Sequence, residues 1–270
     1  KYKNLFSPHA IIRSVEEGLK LDFPDAISNE RKLFEECIES PQRQGLIHSF
    51  FAERANTKIP ELKEGKPIEL NKIGIIGGGT MGTGISMAAM NAGFNVIMIE
   101  QNDEAIQKAK AKINSTYDRS VKLNRITTDQ KNKTMDMFSA TTNFSDLKDR
   151  DLIIEAVFEN MDVKKEVFLK LNQICSQDCI LASNTSYLNV NEIASVVDNP
   201  SRVIGLHFFS PANIMKLLEV VVAEKTSKDT VATAFNLAKK MRKVPVRSGV
   251  CDGFIGNRIL SKYLVGTYHM

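Results

Sequence analysis

The sequence predicts an α/β protein with a mostly parallel sheet covered by helices on both faces. Three observations carry that expectation. From Lys72 onward, short apolar runs of strand length alternate with longer helical stretches, the pattern of βαβ units. A glycine cluster, Gly77-Gly78-Gly79, sits between the first apolar run and the first helical stretch. No apolar run approaches the ~18 residues of a membrane helix.

The elements follow in order. Residues 1–57 read as helical. Leu33, Phe34, Cys37 and Ile38 fall at i, i+1, i+4 and i+5, one apolar face. In 42–56, Leu46, Ile47, Phe50 and Phe51 share a face, and Pro41 stands where a missing N–H costs little. Residues 58–71 hold Pro60, Gly65 and Pro67 among charges and read as a linker. Residues 72–250 form one α/β domain. It opens with a strand at 72–76, a helix at 80–91 and a strand at 95–99. Helices at 103–123 and 128–137 precede strands at 140–143 and 152–156. A helix at 162–175 leads to a strand at 179–182, a short helix at 189–196 and a strand at 202–209. A strand at 217–223, a helix at 228–241 and a strand at 244–247 complete the domain. The last piece, 251–270, starts a helix at 253–265 that reads as truncated.

Composition narrows the function classes. The chain has 270 residues, 43% hydrophobic and 25% charged, which excludes a disordered chain. A net charge of +4 is too small and scattered to argue for nucleic acid. Residues 1–8 lack both an initiating Met and a signal-peptide core; the chain reads as a fragment. Cys37, Cys175, Cys179 and Cys251 complete no zinc site and read as reduced thiols.

The loop 77–82 contains G-x-G-x-x-G at Gly77, Gly79 and Gly82, with Thr80 and Met81 opening the helix. Gly77 permits the tight turn, Gly79 leaves room for a pyrophosphate, and Gly82 lets the helix pack close on the strand. The helix N-terminus offers free N–H groups to the phosphates. Glu100 ends the second strand, about 20 residues further on, where this Rossmann motif expects an acid for the ribose hydroxyls. A carboxylate there repels a 2′-phosphate, which favours NAD over NADP.

Of the four histidines, His9 and His48 lie in the helical N-terminal part and His269 near the chain's end. His207 ends a strand, at the edge where open α/β sheets place ligands. Imidazole suits a base near neutral pH, although a His among apolar neighbours also serves as a core residue. Glu219 lies in the apolar run Leu217-Leu218-Glu219-Val220-Val221. It either partners His207, as the third group of a triad does, or turns to solvent. Ser183-Asn184-Thr185-Ser186 follows another strand at the same edge. These groups either bind a substrate oxygen or the nicotinamide amide, or cap the next helix. Asn257, in the first turn of the last helix, has the same two readings.

Together these residues resemble the NAD-dependent L-3-hydroxyacyl-CoA dehydrogenase family. The matching stretches are 77–84, Glu155-Ala156-Val157-Phe158-Glu159-Asn160, 182–186, 205–211, 215–220 and 253–258, in the family's order. The resemblance implies His207 as catalytic base and Glu219 as its partner. It implies Ser186 and Asn257 as groups that bind and polarise the substrate oxygen, Glu159 and Lys164 near the nicotinamide and its ribose, and Asn184 among the cofactor contacts. Ser210 departs from the single-function members, which usually carry Asn there. Phe50-Phe51-Ala52-Glu53-Arg54 and the following Pro/Gly segment resemble the peroxisomal multifunctional branch. There, a hydratase/isomerase domain ends in a helix joined to the dehydrogenase. The resemblance implies an acyl-CoA substrate, a peroxisomal location, a C-terminal helical domain downstream and a dimer formed through it; Lys108, Lys110 and Lys112 then read either as a rim that attracts the anionic CoA or as the solvated face of a helix. Two other readings stand beside it: another Rossmann dehydrogenase of a sugar or small hydroxy acid, and a non-catalytic nucleotide-binding protein.

Overall fold

The structure, a computed structural model, describes residues 4–268; His269 lies outside them. The chain divides into two units between Ala55 and Asn56. The first holds α1 (Phe6–Gly18), α2 (Phe23–Glu39) and α3 (Pro41–Ala55). Asp22 starts α2 by accepting from Asp25 N at 3.0 Å, and Pro24 fits the first turn. α1 and α2 run antiparallel, tied by Arg13 to Glu36 at 3.0 Å and Asn29 to Glu17 at 2.8 Å. Of the apolar face expected at 33–38, Leu33 is buried while Phe34 stays exposed.

The second unit begins with a segment read from sequence as a linker. It is instead folded onto the α/β body. It contains α4 (Glu61–Glu64), with Ile59 and Leu62 packed on the core and Leu70 buried in it. Its backbone is bonded to distant side chains: Lys66 N donates to Asp229 at 2.7 Å and Ile68 N to Thr233 at 3.1 Å. Pro and Gly mark irregular backbone, but apolar residues between them decide whether that backbone docks.

The α/β body then runs β1 (Lys72–Ile76), α5 (Thr80–Asn91), β2 (Asn95–Ile99), α6 (Asp103–Lys122), α7 (Thr128–Met135), β3 (Phe138–Thr141) and β4 (Leu152–Glu155). It continues with α8 (Met161–Ile174), β5 (Ile180–Ser183), α9 (Val190–Ala194), β6 (Val203–Phe208), β7 (Leu217–Val222), α10 (Lys228–Lys240), β8 (Val244–Gly249) and α11 (Gly256–Tyr268). The strands form one sheet in the order β3-β2-β1-β4-β5-β6-β7-β8. Every pairing is parallel except β6 with β7. Strand residues alternate between two cores. Ile75, Met98 and Ile154 pack with Ile85, Ile113 and Phe235 on one face. Ile76, Ile153 and Leu181 pack with Phe168, Leu171 and Ile193 on the other. Among the described residues, no helix is long and apolar enough to cross a membrane.

Local chemistry moves several boundaries. The third strand forms two residues before the expected 140–143, because Asn143 is taken up in a turn: its N–H donates to Thr141 Oγ1 and its side chain caps Ser145 N, both at 3.1 Å. β8 runs on to Gly249, past the expected 247. The last helix starts at Gly256, not 253, because Gly253 and Phe254 hold φ of 67° and 47°, a left-handed conformation that no helix continues.

Candidate active site

The C-terminal ends of β1, β2, β4, β5 and β6 lie along one sheet edge, where the expected site residues gather. The antiparallel register of β6 and β7 puts His207 directly opposite Glu219. His207 Nδ1 and Glu219 Oε2 are 2.6 Å apart, and both side chains are buried. The ionised carboxylate can only accept, so Nδ1 carries the proton and Nε2 is left as the acceptor. The other carboxylate oxygen, Oε1, accepts from Ile255 N at 3.0 Å and Gly256 N at 2.7 Å. One side chain therefore fixes the imidazole tautomer and holds the start of α11 against the sheet. Phe209 and Phe254 flank the ring, with centroids 4.4 and 5.7 Å away.

Burial by itself raises the Glu219 pKa. The hydrogen bonds from His207 and from the Gly256 and Ile255 amides outweigh it and hold the carboxyl below its ordinary value of 4.5. The folded pKa is thus depressed, so the stability Glu219 contributes is complete above pH 4.5 and is lost as pH falls through the lowered value. In Glu219→Gln that acid-side loss disappears. Urea midpoints at pH 7 and pH 3 are expected to differ less in the variant than in the wild type, and an equal difference would remove this assignment.

Asn257, in the first turn of α11, donates from Nδ2 to Ser186 O at 3.5 Å, so the two expected oxygen-binding residues meet. Ser186 N and Tyr187 N donate to Glu159 Oε1 at 2.7 and 3.2 Å, and Thr185 Oγ1 donates to it at 2.6 Å. Burial raises the Glu159 pKa, but Thr185, the Ser186 amide and the Lys164 ammonium together pull it below the ordinary value. Asn184 is committed to the framework: its Oδ1 accepts from Phe208 N at 2.9 Å, bracing β6 one residue past His207. Lys164 is fully buried, 2.7 Å from Glu155 and 3.3 Å from Glu159.

Glu155 was missed as a site residue by the sequence reading. It ends β4 with no exposed surface and accepts from Lys164 Nζ at 2.7 Å, Val157 N at 2.8 Å and Ser183 Oγ at 2.7 Å. The signal was present: a lone carboxylate closing the apolar run Leu152-Ile153-Ile154, as Glu219 stands in its own strand.

The residues of the glycine loop fit a dinucleotide. Gly77 holds φ of 98° and its N–H donates to Ile99 O at 2.9 Å, which ties the start of the β1–α5 turn to the end of β2. No side chain caps the N-terminus of α5, which leaves the amides of its first turn for an anion. A Cβ on Gly79 would meet nothing within 4 Å, so this position faces the open space that a pyrophosphate requires. A Cβ on Gly82 would lie 1.7 Å from Gly77 O. Glu100 Oε1 accepts from Gly78 N and Oε2 from Gln101 N at 2.9 Å, so the acid expected to meet the ribose is anchored beside the loop. Lys112 Nζ reaches Thr80 Oγ1 at 3.3 Å; of the lysine rim, this one touches the loop.

These contacts separate two glycine substitutions. Gly82→Ala forces the β1–α5 turn apart and is expected to cost about 1–3 kcal/mol of stability together with NADH binding. Gly79→Ala is expected to leave stability within about 0.5 kcal/mol while weakening NADH. Thermal melts and NADH fluorescence titrations of both variants check the pair.

A glycine-rich βα turn with a carboxylate at the end of the next strand, and a buried His–Glu dyad on the same sheet edge, define a Rossmann-type nucleotide-dependent oxidoreductase. Residues 72–251 match the family "3-hydroxyacyl-CoA dehydrogenase, NAD binding domain", and the chain belongs to it; its cofactor is NAD. The chain is 37% identical over 267 residues to the peroxisomal fatty acid beta-oxidation multifunctional protein of Oryza sativa subsp. japonica, covering 98% of this chain and 37% of that one. It spans little more than a third of the length of the curated relatives it matches. Among solved structures it resembles (S)-3-hydroxybutyryl-CoA dehydrogenase from Ralstonia eutropha, at 36% identity and TM-score 0.71, covering 73% of this chain and 69% of that one. It also resembles the dehydrogenase part of multifunctional enzyme 1 from C. elegans, at 33% identity and TM-score 0.67, covering 76% and 49%.

Proposed function

We propose that this chain carries the NAD-dependent oxidation of (S)-3-hydroxyacyl-CoA to 3-oxoacyl-CoA in a multifunctional enzyme of fatty acid β-oxidation. The observation that carries the reading is the buried His207–Glu219 pair, 2.6 Å apart on the sheet edge that also bears the dinucleotide loop. Gly77, Gly79, Thr80, Met81 and Gly82 hold the pyrophosphate and Glu100 the adenosine ribose. Glu159, Lys164 and Asn184 shape the nicotinamide end. The chemistry that NAD supplies when bound is acceptance of a hydride.

His207 Nε2 takes the proton of the C3 hydroxyl as C3 becomes a carbonyl. Glu219 stabilises the imidazolium that results and keeps the ring from turning. Ser186 and Asn257 hold the oxygen as its bond order rises. In the reverse direction His207 returns the proton.

The curated relatives are named peroxisomal or glyoxysomal, which supports a peroxisomal location for the protein that carries this chain. Residues 1–57 fit the end of an upstream hydratase/isomerase domain. Residues 251–270 fit the start of a helical domain that completes the acyl pocket and supports dimerisation. In α11, Ile259 and Tyr263 are 66% and 68% exposed, an apolar side suited to such a domain.

The test is a paired measurement on the chain alone and on the chain extended by a helical domain of this family. NADH is titrated by fluorescence, then acetoacetyl-CoA and free acetoacetate are offered for reduction. NADH binding by both, with turnover of the CoA ester only, is the expected result. Absence of NADH binding removes the cofactor assignment, and equal turnover of free acetoacetate removes the CoA ester as substrate.

A further inference from the structure

Two buried cysteines stand at either end of the turn that joins α8 to β5, apart from the dinucleotide loop and the His207–Glu219 pair. Cys175 is the residue that follows α8, and Cys179 the one that precedes β5. Cys179 N donates to Ser176 O at 3.1 Å and closes the turn. Both side chains sit in one apolar core with Leu147 and Leu171. The two thiols are free, and the Cys179 thiol donates a hydrogen bond to the Cys175 sulfur. Their other acceptors are distant: Leu147 O lies 3.8 Å from Cys175 Sγ and Ile180 O 3.6 Å from Cys179 Sγ.

Arg202 supplies a second, independent observation. It is only 3% exposed, and its guanidinium clasps the same turn. It donates to Ser176 O, to Cys179 O at 3.3 Å and to Asn172 Oδ1 at 3.0 Å. Its Nε–H has no partner, and among the described residues no carboxylate pairs with it. A buried cation without a counter-charge is costly, and this one acts on Cys175 and Cys179. The hydrogen bond from Cys179, helped by Arg202, draws the Cys175 thiol below its ordinary value of 9.0 although burial opposes it. The same bond, then burial, then the Cys175 and Asp151 charges hold Cys179 above that value. The C-terminal end of α8 disfavours an anion, and the guanidinium offsets it. The turn therefore holds one sulfur suited to meet an oxidant and a second within reach to resolve it.

We propose that Cys175 and Cys179 form a reversible oxidation site, at which a hydroperoxide converts the two thiols into one disulfide across the turn between α8 and β5. Cys175 keeps 6% of its surface exposed and Cys179 1%, so a small oxidant meets Cys175 first. The Cys175 thiolate attacks one peroxide oxygen. An S–O bond forms, the O–O bond breaks, and the leaving oxygen takes up a proton, which leaves Cys175 as a sulfenic acid. The Cys179 sulfur then attacks the Cys175 sulfur. The S–S bond forms, the S–O bond breaks, and the hydroxide leaves as water with the Cys179 proton. Two thiols are oxidised by one electron each, and the peroxide is reduced by two. The site shares no residue with the dinucleotide loop or the His207–Glu219 pair, so it stands or falls separately from the proposed reaction.

The probe is hydrogen peroxide, added in graded amounts to the folded chain before quenching with N-ethylmaleimide in urea. Trypsin then releases residues 171–202 as one peptide, which carries both cysteines and neither Cys37 nor Cys251. Expected is a peptide that takes up no maleimide, is lighter than the dithiol by two hydrogens, and regains both maleimide sites after dithiothreitol. Cys37 and Cys251, on their own peptides, are expected to stay alkylated at the same dose. In Cys179→Ala the reaction is expected to stop at a sulfenic acid on Cys175, trapped by dimedone. In Cys175→Ala, oxidation of Cys179 is expected to slow at least about tenfold. An unchanged NADH affinity checks that both variants are folded. A wild-type peptide that keeps both maleimides while Cys37 and Cys251 are oxidised overturns the site, as does a disulfide that forms only after urea has unfolded the chain. Undiminished oxidation of Cys179 in Cys175→Ala overturns Cys175 as the sulfur that reacts first.

Discussion

His207→Gln is expected to lower the turnover number for acetoacetyl-CoA about a thousandfold, within the ~10²–10⁴ that a positioned acid–base group contributes. NADH affinity is expected to stay within about twofold, since the ring lies on β6 and the dinucleotide loop on β1 and α5. Glutamine retains a donor toward Glu219 Oε2, so the strands stay paired and the buried carboxylate keeps a partner. What disappears is the ring nitrogen proposed to exchange the substrate's proton. The stopped-flow rate of NADH oxidation, measured beside an NADH titration, separates the two effects. A turnover loss under tenfold would mean that another group moves the proton. A parallel loss of NADH affinity would mean that the substitution disturbed the sheet edge as a whole.

The dyad was legible in the sequence because two separate anomalies pointed at one another. His207 and Glu219 each interrupt an apolar strand, and a buried polar group needs a partner. The sequence did not contain the register. Whether Glu219 faces His207 or solvent depends on β6 and β7 pairing antiparallel with these two residues opposed, and a slip of one residue reverses the answer. The dinucleotide loop was easier, since its steric demands are local: a turn, an open approach and a close helix–strand contact within six residues. Glu155 carried the same anomaly as Glu219, yet its partners come from α8 and β5, which no local pattern brings together. Asn184 shows a related difficulty. Its neighbourhood in the sequence left a ligand contact and a helix cap both open, and the bond its carbonyl accepts from the Phe208 amide joins two strand ends that no local pattern brings together. The segment 58–71 shows how composition misleads: Pro60, Gly65 and Pro67 mark irregular backbone, while Ile59, Leu62 and Leu70 dock it.

Lys164→Met is expected to cost about 3–5 kcal/mol of stability, a large part of the ~5–15 kcal/mol that holds a domain together. The reason is what remains. Glu155 has no exposed surface, and without Lys164 its charge keeps only Val157 N and Ser183 Oγ as donors. Glu159 loses its cation at the same time. Adding Glu155→Gln to this variant removes the uncompensated charge while an amide oxygen still accepts hydrogen bonds. The double variant is therefore expected to recover at least about 1–2 kcal/mol over Lys164→Met, although each substitution alone destabilises. Urea denaturation of the two single variants and the double closes the cycle. Simple addition of the two losses would show that the pair contributes through packing and not through charge. Function follows the same network. Glu159 holds the Ser186 and Tyr187 amides, and Ser186 meets Asn257. Loosening Lys164 is thus expected to raise the KM for acetoacetyl-CoA in the folded fraction. Glu155→Gln alone, which keeps Lys164 beside Glu159, is expected to raise it less.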